Sequence, residues 1–423
     1  MDKIKLDDTQ KEAIISAFKN KITVITGAAG TGKSLICKYI VEIAHKAGLT
    51  IRLMSPTGKA SQVLSEKTNY SASTIHRSLK MRPGSDFPGE LIKEDLIIVD
   101  EVSMCGIDTM YAIMVALENS PNTKIILVGD KNQLPSVSAG NFLSDIMQAK
   151  CANVVTLNKI HRQDEKSFIS LIANEISSGK VTEIPNDATD VKWHIINADT
   201  FDNDLLKFVD NYISSGKNMD DLQFISPMKK GGCGVFYVNK LIQDKMAGIN
   251  NTKEKYIQVG FNKFHLGDRV IQTENNYEKN IFNGDMGKIV DIGEKVLDSS
   301  SNDKKSRFIS VDFVESSIIT YIGNDIEELA LSWCNTVHKM QGSQFPNVVM
   351  IIANEQGMMM SRELVYTAMT RPSKQLDIFG HINAWRSAPS KSSVKKRYTN
   401  MVKIIKSKQE NKKYLMSLEE KVN

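Results

Sequence analysis

The chain has 423 residues, 41% of them hydrophobic and 24% charged, with a formal net charge of +5. At about 150 residues per domain, that length predicts two or three domains. The balance is that of an ordinary globular chain. No stretch approaches the ~18 uninterrupted apolar residues of a membrane span, and the N-terminal MDKIKLDDTQ lacks an apolar signal core. Membrane insertion and secretion are therefore excluded as expectations, and a cytoplasmic location is expected. The cysteines at 37, 105, 151, 233 and 334 form no CxxC pair and match no zinc spacing, so they are read as reduced, mostly buried thiols.

The charge is unevenly placed. Residues Arg386 to Asn423 hold 11 Lys/Arg and 3 Asp/Glu, a net of +8 that leaves the body near −3. Such a tail suits contact with nucleic acid. It also fits a solvated amphipathic helix, and composition does not separate the two.

In chain order, KITVITG, TIRLMSP, DLIIVDE and KIILVGD each read as a buried parallel strand followed by a turn. Helical stretches such as SLICKYIVEIAHKAG fall between them. The first 150 residues or so are thus expected to form a doubly wound P-loop domain. A second α/β pattern is placed from about Cys151 to Trp385, with strands at NVVTL, DLQFISP, VVMIIA and QLDIFG. Between about 250 and 325 the texture changes. YIQVG, DRVIQT, GKIVDIG and SRFISVDF are short strands with no long helix between them, which predicts a small β-barrel insert. The run SSSNDKKS, 299–306, reads as an exposed loop tip.

GAAGTGKS, Gly27 to Ser34, fits G-x-x-x-x-G-K-[ST] and directly follows a strand. Glycines permit a tight loop whose N–H groups surround phosphate oxygens. Lys33 would neutralise the β- and γ-phosphates, and the Ser34 hydroxyl would ligate Mg²⁺. The positive end of the following helix points at the same anions. IIVDE, Ile97 to Glu101, supplies Asp100 to hold Mg²⁺ and Glu101 as general base for the attacking water. LVGDKNQLPSV adds Asp130 and Gln133 on the γ-phosphate side, with Gln133 able to bond both phosphate and water.

The series GAAGTGKS, SPTGKAS, STIHRSL, IIVDEVSM and LVGDKNQLPSV resembles motifs I, Ia, Ib, II and III of superfamily 1 DNA helicases. Within them it is similar to the RecD-like branch, with the phage Dda-type helicases. LNKIHRQ resembles motif IV, TVHKMQGSQFPNVV motif V and LVYTAMTRPSKQL motif VI, and SPMKKGGCGVFYVNKLIQ resembles a motif of the branch. The match covers most of residues 5 to 380. The resemblance implies two RecA-like domains with an SH3-like β-barrel insert in the second. It implies ATP and Mg²⁺ as cofactors, single-stranded DNA and single-strand/duplex junctions as partners, and 5′ to 3′ movement by a monomer. A single-strand-binding protein, or replication and recombination proteins, would be further partners.

The same resemblance assigns roles. Gln10 looks like the adenine-sensing glutamine. Gly27, Ala28, Ala29, Gly30, Thr31 and Gly32 line the phosphate loop, and Gln341 and Gly342 join the nucleotide set. Arg162 and Arg371 look like the two arginine fingers. Thr57, Lys59, Thr74, His76, Thr336 and His338 are expected to contact the DNA backbone. Phe236 and Tyr237 are candidates for base stacking, with core packing expected of at least one. Residues 77–95 hold the place of a duplex-splitting β-hairpin, with Phe87 as the wedge tip. Pro372 departs from the family pattern and restricts Arg371. A translocating ATPase that remodels protein–DNA complexes with little unwinding is the alternative. A non-catalytic DNA-binding subunit is the third reading, opposed by the intact Lys33, Asp100 and Glu101.

Overall fold

The computed structural model describes residues 6–422 apart from 83–84, 86, 160–166, 261, 277, 280, 297–304, 314–317, 393–396 and 398. The chain divides into two units, Met1–Ser167 with Ser393–Asn423, and Phe168–Ser392.

The first unit runs α1 (Asp8–Lys19), β1 (Ile22–Gly27), α2 (Lys33–Lys46), β2 (Ile51–Ser55), α3 (Gly58–Thr68), β3 (Ala72–Thr74), α4 (Ile75–Ser78), β4 (Leu96–Val99), α5 (Ile107–Ala116), β5 (Lys124–Gly129), α6 (Phe142–Ala149) and β6 (Asn153–Leu157). Its six strands form one parallel sheet in the order β3-β2-β4-β5-β1-β6. Alternate residues enter opposite cores. Val24, Ile97, Val99 and Leu127 pack with Ile113 and Ile146 on one face. Ile25, Ile98, Ile126 and Val128 pack with Ile36 and Ile40 on the other. Burial on both faces is why these strands read as unbroken apolar runs. A parallel sheet also brings all strand carboxyl ends to one edge, where such sheets bind ligands.

One boundary is corrected. NVVTL, placed by its sequence in the second α/β pattern, is β6, and it pairs with β1 from Thr23↔Asn153 to Gly27↔Leu157. A buried parallel strand carries the same apolar signature in whichever sheet it joins, so local pattern does not assign it.

The second unit continues with α7 (Phe168–Ser177), β7 (Val191–Ile195), α8 (Phe201–Ser214), β8 (Leu222–Ser226) and α9 (Val235–Ile249). After α9 come β9 (Tyr256–Val259), β10 (Asn262–His265), β11 (Arg269–Gln272), β12 (Met286–Val296), β13 (Lys305–Phe313), β14 (Ile319–Ile322) and β15 (Leu329–Leu331). The unit closes with β16 (Cys334–Thr336), β17 (Phe345–Ile352), α10 (Arg362–Met369), β18 (Pro372–Gly380) and α11 (Ile382–Ser387). Its parallel sheet has the order β16-β8-β17-β18-β7. The insert is a β9–β10 hairpin and an antiparallel sheet ordered β14-β13-β12-β11-β15, around its own core of Phe264, Val270, Ile309 and Tyr321. The expected span of 250–325 compares with described strands from Tyr256 to Leu331. Residues 299–304 of the expected loop tip lie outside the described residues, and Ser306 is already in β13.

The basic tail is helical from Met401, with Lys403, Lys406, Lys408 and Lys412 exposed, as the reading of a solvated amphipathic helix expects. Within the first unit, α12 (Met401–Val422) lies along α6, with Met401 packed against the core that holds Phe142 and Ile146.

Candidate nucleotide and DNA sites

The phosphate loop is shaped by glycine. Gly30 and Gly32 have φ of +83° and +86°, values that side chains rarely adopt. A Cβ on Gly27 would lie 2.6 Å from Thr31 Oγ1 and 2.9 Å from Leu157 Cβ, so β6 closes the loop from below. Lys33 Nζ donates to Gly27 O at 2.6 Å and Ala28 O at 2.9 Å. The ammonium is thereby held across the loop at the N-terminus of α2.

Gln10 is buried, and both ends of its amide are engaged. Its Oε1 accepts the Asp7 N–H at 3.1 Å as half of the α1 capping box, and its Nε2 donates to Thr31 O at 3.2 Å. It ties α1 to the phosphate loop, a bracing role that the sequence did not reveal.

Asp100 and Glu101 follow β4 directly. Glu101 has φ of +52°, a left-handed position that costs an ordinary residue about 1–2 kcal/mol. Strain of this kind persists where surrounding structure imposes it. The Asp100 Oδ1 accepts the Glu101 N–H at 2.9 Å. Burial first, and the Glu101 carboxylate second, push the Asp100 carboxyl up to about 7. Burial pushes the Cys105 thiol up to about 12, with Glu101 and Asp100 adding to it. The cysteines are free, and all but the half-buried Cys151 are buried, so they are poor nucleophiles.

Buried polar atoms are normally paired. Among the described residues of this unit, Thr26 Oγ1, Ser55 Oγ, Glu101 Oε2, Ser103 Oγ and Gln133 Oε1 are buried without a hydrogen-bond partner. They follow or end β1, β2, β4 and β5, at the carboxyl edge of the sheet. Asp130 is instead committed to its turn, its Oδ1 accepting the Asn132 N–H at 3.0 Å.

The chemistry of the donors fits Mg²⁺ rather than a caged metal. No group of three or more His, Cys, Asp or Glu able to hold a metal ion occurs among the described residues. Mg²⁺ is bound by one or two protein groups together with water and substrate phosphates. Ser34 and Asp100, the residues that the sequence reading assigns, would supply that number, and a dication would offset the burial and the Glu101 charge that raise Asp100.

The three threonines assigned to DNA share an unexpected feature. Thr57 Oγ1 accepts the Ala60 N–H at 3.2 Å, Thr74 Oγ1 the Arg77 N–H at 3.3 Å, and Thr336 Oγ1 the Lys339 N–H at 3.2 Å. Each hydroxyl oxygen caps a helix or turn, which leaves its hydrogen to donate. Lys59 Nζ donates to Gln62 at 3.0 Å, and His76 is exposed. Burial lowers His338 below the usual histidine range. Beside it lies a residue that the sequence reading missed. Burial, with Lys229 adding to it, lowers Lys339 to about 8. The only sequence signal was a lysine next to an assigned histidine.

Phe236 and Tyr237 are 60% and 40% exposed, so the expectation that one packs in the core is overturned. On α9 they fall between the buried Val235 and Val238, where the helical period turns them outward. No strand lies between Ser78 and Leu96 among the described residues. Phe87 is 62% exposed and meets Tyr111 of α5 edge-on, with ring centroids 6.1 Å apart.

Arg162 lies outside the described residues. Arg371 is buried and engaged within its own unit. Its Nε donates to Thr367 O at 3.0 Å, Nη1 to Ser343 O at 2.9 Å and Met340 O at 3.2 Å, and Nη2 to Thr370 Oγ1 at 2.8 Å. It thus spans the turn that carries Gln341 and Gly342, the latter at φ +76°. Pro372 begins β18, a strand position that tolerates its missing N–H. Arg371→Ala is expected to lower the unfolding free energy by about 3 kcal/mol in denaturant melts, from lost hydrogen bonds to a charged group. A melt unchanged from wild type would show that these contacts hold nothing.

Three family models match the chain. An AAA domain matches residues 5–194, the SH3 domain of ATP-dependent RecD-like DNA helicases 238–313, and the UvrD-like helicase C-terminal domain 331–378. The ATP-dependent RecD2 DNA helicase of Deinococcus radiodurans is 30% identical over 388 residues, which is 91% of this chain and 50% of that protein. The RecBCD enzyme subunit RecD of Buchnera aphidicola subsp. Schizaphis graminum is 29% identical over 453 residues, covering 89% of this chain and 73% of that one. This chain therefore spans about half the length of the Deinococcus relative. A crystal structure of Pif1 helicase from Bacteroides in complex with ADP-AlF3 and ssDNA has a TM-score of 0.54 at 20% identity, covering 91% of this chain and 94% of that one, and shares its fold. With its two parallel α/β sheets, its SH3-like insert and its ordered motifs, the chain is similar to the RecD-like helicases.

Proposed function

We propose that this chain is an ATP-dependent DNA helicase that moves 5′ to 3′ along single-stranded DNA and unwinds duplex. The observation that carries the reading is the set of unpartnered polar atoms at the carboxyl edge of the first sheet, beside a phosphate loop with its lysine in place. Such a set suits a polyanionic ligand and an attacking water. When bound, ATP with Mg²⁺ supplies the phosphoryl group whose transfer drives movement. Lys33 neutralises phosphate charge, Ser34 and Asp100 hold the metal, Glu101 orients and deprotonates water, and Gln133 senses the γ-phosphate. Gln10 is proposed to meet adenine as well as brace the loop. Arg162 and Arg371 are the arginines proposed to stabilise the transferring phosphoryl oxygens, with Gln341 and Gly342 beside Arg371 in the nucleotide set.

Thr57, Lys59, Thr74, His76, Thr336 and His338 are proposed to hold DNA phosphates, with Lys339 added to them. The relatives supply the precedent: one solved Pif1 structure is described as unwinding forked dsDNA. Duplexes carrying a 5′ or a 3′ tail, with ATP and Mg²⁺, test activity and polarity together. Unwinding of the 3′-tailed substrate alone would overturn the polarity. The absence of strands between Ser78 and Leu96 among the described residues favours the second reading, remodelling with little unwinding. Phe87→Ala decides between them. As a wedge residue, its loss lowers unwinding about tenfold and leaves single-strand-stimulated ATPase unchanged. Equal effects on both rates would reject the wedge.

Lys339 gives the proposal a pH signature. Bound phosphate favours the charged amine, and with a free-state value of about 8, the amine is charged below that pH and must take up a proton to bind above it. Single-strand affinity at fixed salt is therefore expected to fall between pH 7 and 9. Lys339→Gln is expected to flatten that fall, and an unchanged slope in the variant would remove Lys339 from the DNA site.

A further inference from the structure

The loop after Gln133 is anchored by a residue from the far end of the chain. Arg397 Nη1 donates to Gly140 O at 2.5 Å, Ser138 O at 2.8 Å and Ser136 Oγ at 3.3 Å, and Nη2 donates to Ser136 O at 2.7 Å. Three backbone carbonyls spaced two residues apart thus converge on one guanidinium. The intervening Ala139 O faces the other way and accepts the Ile107 N–H of α5 at 2.8 Å. Gly140 holds φ at +94°, and a Cβ there would lie 2.9 Å from Ile107 Cβ. Leu134 and Ser136 are each 3% exposed, so the restraint at Ser136 lies three residues from Gln133 along a stretch in which only Pro135 is half-buried. Two residues after Arg397, Thr399 Oγ1 donates to Asp145 Oδ2 at 2.6 Å, and α12 then lies along α6.

We propose that Arg397 is a positioning residue for nucleotide hydrolysis, fixing the Ser136–Gly140 loop so that the buried Gln133 amide is presented to the γ-phosphate. A rigid planar fork with several donors can gather carbonyls that point at one place; an ammonium cannot match that geometry. Converging carbonyl dipoles without a donor would repel one another and relax the loop. A buried amide that keeps its Oε1 without a partner depends on such a restraint, because a freer Gln133 would turn to satisfy itself. The C-terminal segment thereby acts on the ATP site through the Ser136–Gly140 loop. The inference rests on the reading of Gln133 as γ-phosphate sensor.

The test uses the full chain, with Arg397→Ala, Arg397→Lys, Gln133→Ala and Thr399→Ala. Affinities for ADP and for a non-hydrolysable ATP analogue are measured, with kcat and KM of single-strand-stimulated hydrolysis. Arg397→Ala is expected to lower analogue affinity and kcat about tenfold each while ADP affinity stays within twofold. Arg397→Lys is expected to lose about threefold. Thr399→Ala, which loosens the same segment away from the loop, is expected to stay within twofold throughout. If Arg397→Ala does not fold, Arg397→Lys carries the decision by the same selectivity. Wild-type selectivity and kcat in the Arg397 variants, with both lowered in Gln133→Ala, would overturn the positioning role and leave the sensor standing. Wild-type values in Gln133→Ala would overturn the sensor reading and this inference with it.

Discussion

Replacing Lys33 with alanine is expected to lower kcat for single-strand-stimulated ATP hydrolysis about 10³-fold, the upper range for removing one preorganised donor from developing charge. Its ammonium is already placed, bridging Gly27 O and Ala28 O at 2.6 and 2.9 Å, so little reorganisation precedes its use. The loop itself should survive. Gly30 and Gly32 keep their left-handed conformations, the Gln10 bond to Thr31 O remains, and the released carbonyls can turn to water. Thermal melts of the variant are therefore expected to match wild type, which separates lost chemistry from lost structure. Hydrolysis within tenfold of wild type would remove the assignment of this site.

Glu101→Gln is the second large effect. The amide keeps the size of the side chain and the left-handed backbone at φ +52°, but it cannot take a proton. General-base catalysis contributes about 10²- to 10⁴-fold, and kcat is expected to fall by about 10³ with nucleotide affinity retained. The variant carries a second signature, readable without nucleotide or Mg²⁺. Asp100 has a folded-state value of about 7, raised by burial and by Glu101, against about 3.9 for a free aspartate. The folded state then binds the proton more tightly than the unfolded one, so stability falls as pH rises between those values. Removing the Glu101 charge lowers Asp100 and shrinks that fall. The melting temperature of Glu101→Gln is expected to exceed wild type at pH 7 and to converge with it near pH 4. Unchanged kcat would reject the base, and a pH-independent difference in melting would reject the coupling.

What was legible in the sequence was local. The phosphate loop, the Asp100–Glu101 pair and Gln133 each follow an apolar run, and in a parallel sheet those runs end at one edge. Adjacency in motif order therefore became adjacency in space without knowledge of the strand order. The insert was legible for the same reason, since short strands without intervening helices leave a period-2 texture.

Other features depended on contacts that no local pattern encodes. Thr57, Thr74 and Thr336 carried motif positions in the sequence, yet each oxygen is occupied by a cap three residues ahead. Phe236 and Tyr237 were ambiguous because an aromatic on an amphipathic helix fits either face. The helix phase, set by Val235 and Val238 in the core, turned both outward.

The sequence by itself determined the phosphate loop, the acidic pair, the alternating α/β texture and the resemblance to RecD-like helicases. Those follow from spacing along a few residues and from strand and helix periods. The tertiary structure alone decided that β6 lies beside β1 and that Arg371 is held by Thr367, Met340 and Ser343. It also decided that Arg397 closes on a loop more than 250 residues earlier. Each of these is a choice of long-range partner. A buried strand and a multi-donor guanidinium have the same local signature whichever partner they take, and only the folded chain selects one.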